Sequence, residues 1–267
     1  MVPDQTSDVP VFVLCGGLGT RLREETEVRP QAHGPGGHRA RSSGTSCGPT
    51  PTTDSTGFVL CLGYKSEVIK SYFLNYASMN SDFTVELKKN NLTVHSIDHE
   101  EHWEVTLAYT GELTMTGARV QRAASKYLGD AENFAVTYGD GVTDADLSAE
   151  YRFHLGEGRL GTVLGVNPPS RFGELKVDGA QVQEFSEKPD FVDNWINGGY
   201  FFFKRDFLPY LTPDEGCVLE REPLIKLAQD GQLSMFRHRG FWACVDTQRD
   251  LEQLNKLWAS GDAPWAV

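Results

Sequence analysis

The chain has 267 residues, of which 39% are hydrophobic, and it carries a formal net charge of −12 with a pI near 5.0. This length and composition can build one large core, which argues against a disordered protein. The acidic balance argues against a general nucleic-acid binder, because phosphate backbones need basic patches.

Neither the N-terminus nor the apolar runs indicate export or a membrane. No run approaches the roughly 20 apolar residues of a membrane helix, and MVPDQTSDVP lacks the basic and apolar regions of a signal peptide. The five cysteines are scattered, with no CxxC spacing and no disulfide framework. We therefore predict a cytoplasmic protein with buried free thiols and no membrane or nucleic-acid partner.

Short apolar runs typical of buried strands alternate with helical patterns along the chain. The predicted strands are Val11–Leu14, Phe58–Leu62, Phe134–Tyr138, Gly161–Val166, Glu174–Val177, Gln183–Ser186 and Tyr200–Phe203. The predicted helices are Lys65–Tyr76, Ala118–Tyr127, Asp146–His154, Glu222–Gln229 and Arg249–Trp258. This alternation favours a single α/β domain over residues 1–267, with a mostly parallel sheet, helices on both faces and a small β-rich insertion.

A glycine loop, GGLGTR, follows the first strand at residues 16–21. Glycines after a buried strand let the backbone turn sharply, so that its N–H groups can bind a phosphate. Arg21 can add a forked, charge-assisted contact. The spacing differs from the dinucleotide fingerprint and lacks the Gly-Lys-Ser/Thr of a P-loop. A tight turn without a ligand is the alternative.

Further motifs follow the loop in order. They are GYKSEVIKSYFLNY, VTLAYTGELTMTGARVQR, TYGDGVTDAD, RFGELKV, FSEKP, INGGYFFF, EREPL and GFWACVDTQRD. This ordered set, which covers nearly the whole chain outside residues 31–57, resembles the sugar-1-phosphate nucleotidylyltransferases, most closely their glucose-1-phosphate cytidylyltransferase branch. The resemblance implies a Rossmann-like nucleotidyltransferase fold and a homo-oligomer.

The reaction that the resemblance implies is transfer of a cytidylyl group from CTP to glucose 1-phosphate, which yields CDP-glucose and pyrophosphate. The attacking phosphate oxygen is already anionic, so the protein has to supply positioning and charge neutralisation rather than a general base. The family resemblance also implies Mg²⁺ as cofactor and a deoxysugar or surface-polysaccharide pathway. No spacing in the sequence separates CTP from UTP or dTTP, so these nucleotides remain alternatives.

Asp140 in TYGDG and Asp246 in WACVDT each follow an apolar run. Carboxylates at the ends of parallel strands lie where α/β folds bind ligands, and two of them suit Mg²⁺. The resemblance implies that they are the metal pair. The alternatives are an Asp-Gly turn at Asp140 and a helix N-cap at Asp246.

The resemblance assigns the other site residues. Catalytic roles go to Arg21, Lys188 and Asp140; nucleotide contacts to Gly16, Gly17, Gly19, Thr20, Arg21, Thr116, Gly117 and Arg119; sugar-phosphate contacts to Gly139, Glu187, Lys188, Asn197 and Gly198. Each motif also has a plain structural interpretation. Thr116 can be an N-cap, Lys188 a surface lysine, and the Asn-Gly-Gly at residues 197–199 a hairpin turn. Packing is the default for Tyr64, Trp103, Trp195 and Trp242.

Residues 31–57 depart from the family pattern, because Gln31 stands where the family has a lysine. If the Ser43 codon ends in T, reading Gly44–Gly57 one base earlier forces a Trp and several apolar positions. One permitted reading, WHIMRTYAHYGFNG, is an amphipathic helix, and the other shifted frame of Gln31–Ser43 permits the lysine. We predict that residues 31–57 are out of frame, by sequencing error or by mutation, and loop-like as written; a flexible surface insertion is the alternative. Without that lysine, the chain is predicted to be impaired or only to bind nucleotide sugars.

Overall fold

A mixed sheet forms the centre of the protein in a computed structural model that describes residues 9–17, 57–95, 103–167, 174–186 and 195–266. The strands are β1 (Val11–Leu14), β2 (Gly57–Leu62), β3 (Asp82–Glu86), β4 (Asn91–His95), β5 (Glu104–Tyr109), β6 (Asn133–Tyr138), β7 (Gly141–Thr143), β8 (Gly161–Val166), β9 (Glu174–Asp178), β10 (Gln181–Ser186), β11 (Ile196–Lys204), β12 (Leu233–His238) and β13 (Trp242–Cys244). The central sheet has seven strands in the order β12-β8-β11-β6-β1-β2-β5. Only β11 runs antiparallel within that sheet, which confirms the predicted mixed, mostly parallel architecture.

Helices connect and cover the strands. They are α1 (Ser66–Leu74), α2 (Tyr76–Asn80), α3 (Thr116–Tyr127), α4 (Leu147–Glu157), α5 (Glu222–Gln229) and α6 (Gln248–Ser260), with a 3₁₀ helix at Arg205–Tyr210. Two capping motifs account for helix starts in the second half of the chain. Asp146 accepts a hydrogen bond from Ala149 N at 2.8 Å at the start of α4, and Thr247 and Asp250 form a capping box at the start of α6. The alternative N-cap role of Asp246 is therefore wrong, because Thr247 occupies that position.

The core lies between the sheet and the helices and is rich in phenylalanine. Phe12, Phe134, Phe203 and Phe207 are fully buried, and the rings of Phe203 and Phe207 stack with centroids 4.0 Å apart. The described cysteines, Cys15, Cys61, Cys217 and Cys244, form no disulfide with one another; Cys61 is buried and the other three are half-buried. No helix in the described ranges is long and apolar enough to cross a membrane.

The register of the strands brings the predicted site residues to one edge of the sheet. The parallel strands β1, β2 and β6 end there together, since Leu14 pairs with both Cys61 and Tyr138. Strand β11 begins at the same edge, where Asn197 pairs with Gly165. Ligands of open α/β sheets bind at this carboxyl edge.

Helix α4 also carries two buried ionisable groups that the predicted site does not use. Glu150 and His154 have no exposed surface, and His154 Nδ1 lies 2.9 Å from Thr162 Oγ1. Within the described residues, neither carboxyl oxygen of Glu150 nor His154 Nε2 has a hydrogen-bond partner. Burial raises the pKa of Glu150 well above its ordinary value. Burial, together with the charge of Lys204, lowers the pKa of His154 to about 4.

We expect Glu150→Gln to change how stability depends on pH. The raised pKa of Glu150 makes the free energy of unfolding fall once the pH exceeds about 4.3, the value for an unfolded glutamate. The lowered pKa of His154 makes the free energy of unfolding rise between about pH 4 and 6.5. The two effects oppose each other in that range, and only the fall caused by Glu150 remains at higher pH. In urea unfolding, the free energy of unfolding of the variant should rise relative to that of wild type by up to about 1.4 kcal/mol per pH unit. The exposed Glu252→Gln on α6 is the control, and parallel pH curves for Glu150→Gln and wild type would contradict the prediction.

Candidate active site at the carboxyl edge of the sheet

The structure describes part of the predicted site. Gly16, Gly17, Thr116, Gly117, Arg119, Gly139, Asp140, Asn197, Gly198 and Asp246 lie within the described ranges. Gly19, Thr20, Arg21, Gln31, Glu187 and Lys188 lie outside them, so their assigned roles stay predictions. The described residues follow the ends of β1 and β6, begin β11 and α3, and flank the short ribbon formed by β7 and β13.

The ribbon of β7 and β13 brings together the chain segments that carry the two predicted metal carboxylates. Gly141 pairs with Cys244, and Val245 N donates to Asp140 O at 2.9 Å. Asp140 thus precedes β7 and Asp246 follows β13, so the two residues lie on neighbouring segments of backbone. The Cys244 thiol donates to Asp246 Oδ2 at 3.3 Å. Two distant segments of the sequence therefore meet at one site.

A hard divalent cation fits this donor set. Carboxylate oxygens are the protein ligands that Mg²⁺ prefers, and it usually takes its remaining ligands from phosphates and water. Asp140 and Asp246 would supply such oxygens from adjacent chain segments. Across the described residues, no group of three or more His, Cys, Asp or Glu side chains is placed to hold a metal ion.

Two aromatic side chains fasten the ribbon to β11. Trp242 Nε1 donates to Gly198 O at 2.7 Å, and Tyr200 Oη donates to Gly141 O at 3.0 Å. Tyr200 also packs with Leu164 and Val166, and Trp242 packs against that cluster. The packing predicted for Trp242 is observed, with a polar contact at its tip that the sequence did not indicate.

The Asn-Gly-Gly segment is part of a strand rather than a hairpin turn. β11 runs from Ile196 to Lys204, and its pairing with β8 is irregular between Asn197 and Phe201. Asn197 Oδ1 accepts from Gly199 N at 2.8 Å. A Cβ at Gly198 would lie 2.9 Å from Leu164 O, so close strand packing explains that glycine. The turn alternative is therefore wrong.

Arg119 lies under the glycine loop and ties three strand ends together. Its side chain is 4% exposed. The guanidinium donates to the carbonyls of Leu62, Gly16, Gly111 and Glu112 at 2.8–3.2 Å, and to Thr110 Oγ1 at 2.8 Å. These bonds connect the segments after β1, β2 and β5. The structure thus gives Arg119 five protein partners, and the nucleotide contact assigned to it stays a prediction.

Two glycines make room for this guanidinium. A Cβ on Gly16 would lie 2.4 Å from the Arg119 Cζ, and one on Gly63 would lie 2.3 Å from its Nη atoms. Any side chain at either position would have to displace the buried guanidinium. Gly17, by contrast, is exposed, and no atom of the described residues lies within 4 Å of where its Cβ would be. The first glycine of the loop is therefore explained by Arg119.

The predicted nucleotide contacts at the start of α3 also have protein partners. Thr116 Oγ1 donates to Glu220 Oε2 at 2.7 Å and accepts from Leu219 N at 2.9 Å. A Cβ on Gly117 would lie 2.7 Å from Cys217 Sγ. The N-cap of α3 is Met115, not Thr116, and Met115 makes no side-chain capping bond. The TGAR motif therefore packs against residues 217–220, which lie just before α5.

Glu220 joins this helix start to the end of β6. Tyr138 Oη donates to Glu220 Oε1, so both carboxylate oxygens of Glu220 are occupied. Burial raises the pKa of Tyr138, and the charges of Glu220 and Asp140 raise it further, which keeps the phenol protonated as a donor. Tyr138 is the residue directly before Gly139 and Asp140. A Cβ on Gly199 would lie 2.8 Å from its ring.

Sequence reasoning missed Tyr138, Glu220, Tyr200 and Gly63 as parts of the site. Glu220 lies in the motif EREPL, which gave no role for it, and Tyr138 lies in TYGDG beside the residue that drew attention. No periodicity signals a hydrogen bond between residues so far apart in the chain. The only available signal was that polar residues occur directly beside motifs of the site.

Comparisons with known proteins show which family this chain resembles. A family model described as "Nucleotidyl transferase" matches residues 59–260. The chain is 41% identical to "Glucose-1-phosphate cytidylyltransferase" of Salmonella typhi, over 95% of this chain and 97% of that protein. It is 35% identical to "Probable glucose-1-phosphate cytidylyltransferase" of Bacillus subtilis strain 168, over 96% of this chain and 98% of that protein. The solved structure of HddC from Yersinia pseudotuberculosis is similar in fold, with a TM-score of 0.57 at 19% identity over 94% of this chain and 99% of that one.

Proposed function

The chain belongs to the nucleotidyl transferase family, among its sugar-1-phosphate nucleotidylyltransferases, and from this premise we propose that it transfers a cytidylyl group from CTP to glucose 1-phosphate. CDP-glucose and pyrophosphate are the products. The single observation that supports the chemistry most directly is the pairing of β7 with β13, which sets Asp140 beside the segment carrying Asp246 at the edge where β1 ends.

The chain's own residues contribute positioning and charge. Asp140 and Asp246 would hold the divalent cation, which when bound offsets the negative charge of the phosphates. Backbone N–H groups of the glycine loop bind phosphate oxygens, and Arg119 fixes the start of that loop from below. Asn197 and Gly198 border the sugar side at the start of β11. The oxygen of the sugar phosphate then attacks the α-phosphorus, forming a P–O bond as the bond to pyrophosphate breaks.

Nucleotide specificity is tested by release of pyrophosphate. The purified chain is incubated with glucose 1-phosphate, Mg²⁺ and either CTP, UTP or dTTP, and product formation is measured for each. Release with CTP alone supports the proposal, while preference for UTP or dTTP supports the alternative base. Binding of nucleotide sugar without release from any triphosphate supports an impaired binding protein.

Gln31→Lys tests whether the missing lysine limits this chain. We expect turnover with CTP to rise at least about tenfold, because a cation beside the triphosphate stabilises the charge that develops in phosphoryl transfer. Gln253→Lys, on an exposed position of α6, adds the same charge elsewhere and should leave turnover unchanged. An equal effect of the two variants would contradict a specific role for position 31. Resequencing the gene then decides whether residues 31–57 are read in frame.

We also propose a cytoplasmic homo-oligomer that serves deoxysugar or surface-polysaccharide synthesis, as the family resemblance implies. The hairpin of β3 and β4 supports an oligomer, because Phe83, Val85 and Leu92 are each more than 40% exposed. Apolar surface on an isolated two-stranded hairpin is typical of an interface. A protomer mass in light scattering would contradict the oligomer.

A further inference from the structure

The network of Tyr138, Glu220 and Thr116 connects three parts of the site that come from distant regions of the sequence. Glu220 accepts one hydrogen bond from Tyr138 at the end of β6 and one, at 2.7 Å, from Thr116 at the start of α3. Leu219 N donates to Thr116 Oγ1 at 2.9 Å, so Thr116 also binds the backbone of the segment that carries Glu220. The carboxylate therefore has a donor for each oxygen.

The backbone of α3 fixes the segment that carries Glu220. Met115 N donates to Glu215 O at 2.8 Å, and Ala118 N donates to Cys217 O at 3.1 Å. Free N–H groups of a first helical turn are usually satisfied by caps or ligands, and here a neighbouring segment satisfies one of them. The start of α3 thus fixes the segment that carries Glu220, and the Glu220 side chain faces the end of β6.

Tyr138 links Glu220 to the residues that are predicted to bind the metal and the sugar. Its backbone continues directly into Gly139 and Asp140, and Gly139 N donates to Leu14 O at 3.2 Å. Its ring lies against Gly199, where an added Cβ would come within 2.8 Å, and Gly199 has the positive φ of 79° that favours glycine. The Tyr138 ring therefore contacts β11, whose first residues are predicted to bind the sugar. Along the backbone, Tyr138 lies shortly before Asp140, a predicted metal ligand.

We propose that Glu220 is a positioning residue, which fixes Tyr138 and thereby sets the position of the Asp140 carboxylate and of the Asn197–Gly199 backbone. The inference rests on the proposed function, since it gives Glu220 a task in the site that function requires. Contacts of this kind, one step removed from a metal ligand, typically change metal affinity or activity when removed.

The test compares Tyr138→Phe, Glu220→Gln and the double variant in the full chain. Each is measured for kcat and KM in pyrophosphate release with CTP, for affinity toward Mn²⁺ alone by loss of the free-ion EPR signal, and for thermal unfolding without ligand. Tyr138→Phe keeps the ring against Gly199 and removes only the hydroxyl. The matched control is Tyr210→Phe with Asp230→Asn, a tyrosine–carboxylate hydrogen bond that is exposed to solvent and lies away from the site.

We expect each single variant to weaken Mn²⁺ binding and to lower kcat by roughly tenfold, with KM for CTP changed less. The double variant should have a kcat and a Mn²⁺ affinity no lower than those of the more impaired single variant, because both substitutions remove the same interaction. The control pair should leave both quantities unchanged. Wild type that binds Mn²⁺ tightly but releases no pyrophosphate would overturn the proposed function, while weaker Mn²⁺ binding in the variants would still support the positioning role. Variants that unfold at lower temperature with unchanged Mn²⁺ affinity, or wild type that binds no Mn²⁺, would overturn the inference.

Discussion

Replacing Asp140 by asparagine is expected to lower kcat for pyrophosphate release about 10²–10³-fold. The substitution keeps the size of the side chain and removes the charge that a divalent cation needs at the end of β6. Asp246→Asn should have an effect of the same order, because the pairing of β7 with β13 sets the segments that carry the two carboxylates side by side. Steady-state assays with CTP and glucose 1-phosphate, repeated over a range of Mg²⁺ concentrations, measure the loss.

Asp144→Asn is the matched control for these two variants. Asp144 follows β7 and its Oδ1 lies 2.7 Å from His238 Nε2, so its carboxylate has a partner outside the predicted metal pair. We expect its kcat to stay within about twofold of wild type. If Asp140→Asn and Asp246→Asn retained wild-type kcat at every Mg²⁺ concentration, the metal assignment would be wrong. If the double variant were no slower than either single one, the carboxylates would act as a unit.

Replacing Arg119 by methionine is expected to lower the free energy of unfolding by about 3–5 kcal/mol, since it leaves several buried acceptors without a donor. For a chain of this size the loss corresponds to a fall in unfolding temperature on the order of 10 °C. Gly63→Ala should act in the same direction, because its Cβ would displace the guanidinium. Denaturant unfolding and differential scanning calorimetry measure both effects.

Arg122→Met provides the comparison on the same helix. Arg122 donates to Thr110 O at 2.9 Å and to Pro213 O at 2.7 Å, but the bonds to Pro213 are exposed, so we expect a loss of about 1 kcal/mol. The two interpretations of Arg119 give different results. A variant with unchanged stability and a raised KM for CTP would show that Arg119 is mainly a nucleotide contact, as the sequence suggested. A large loss of stability without ligand supports the tether that the structure shows.

The fold was largely predictable because its central strands are short, apolar and buried. β1 and β8 were predicted with their observed limits, and α5 was also exact. The strands that the sequence did not predict lie mostly at edges or on the surface. β3 has no buried residue, β12 is an edge strand with exposed Arg237, and β7 and β13 have three residues each. Strands of this kind lack the alternation or continuous apolar run that identifies a buried strand.

The strand-end position of Asp140 was easier to predict than the contacts around it. The sequence places Asp140 at a strand end, and the structure has it just after β6, next to the segment that carries Asp246. It did not indicate that Arg119 would reach Gly16, because that contact depends on the turn geometry of two glycines and on a helix packed behind them. Long-range hydrogen bonds are set by tertiary packing, and local propensity carries little information about them.

The ribbon of β7 and β13 also determines when the site can form during synthesis and folding. Its two strands are separated by most of the second half of the chain, including β8, β11 and α5. Closing so long a loop is entropically costly and repaid only when both ends dock, so the pairing belongs to the late steps of folding. A nascent chain that ends before Trp242 can bury much of its sheet, yet it lacks the second carboxylate. The proposed metal pair therefore forms only after the segment that carries Asp246 has been made and has docked.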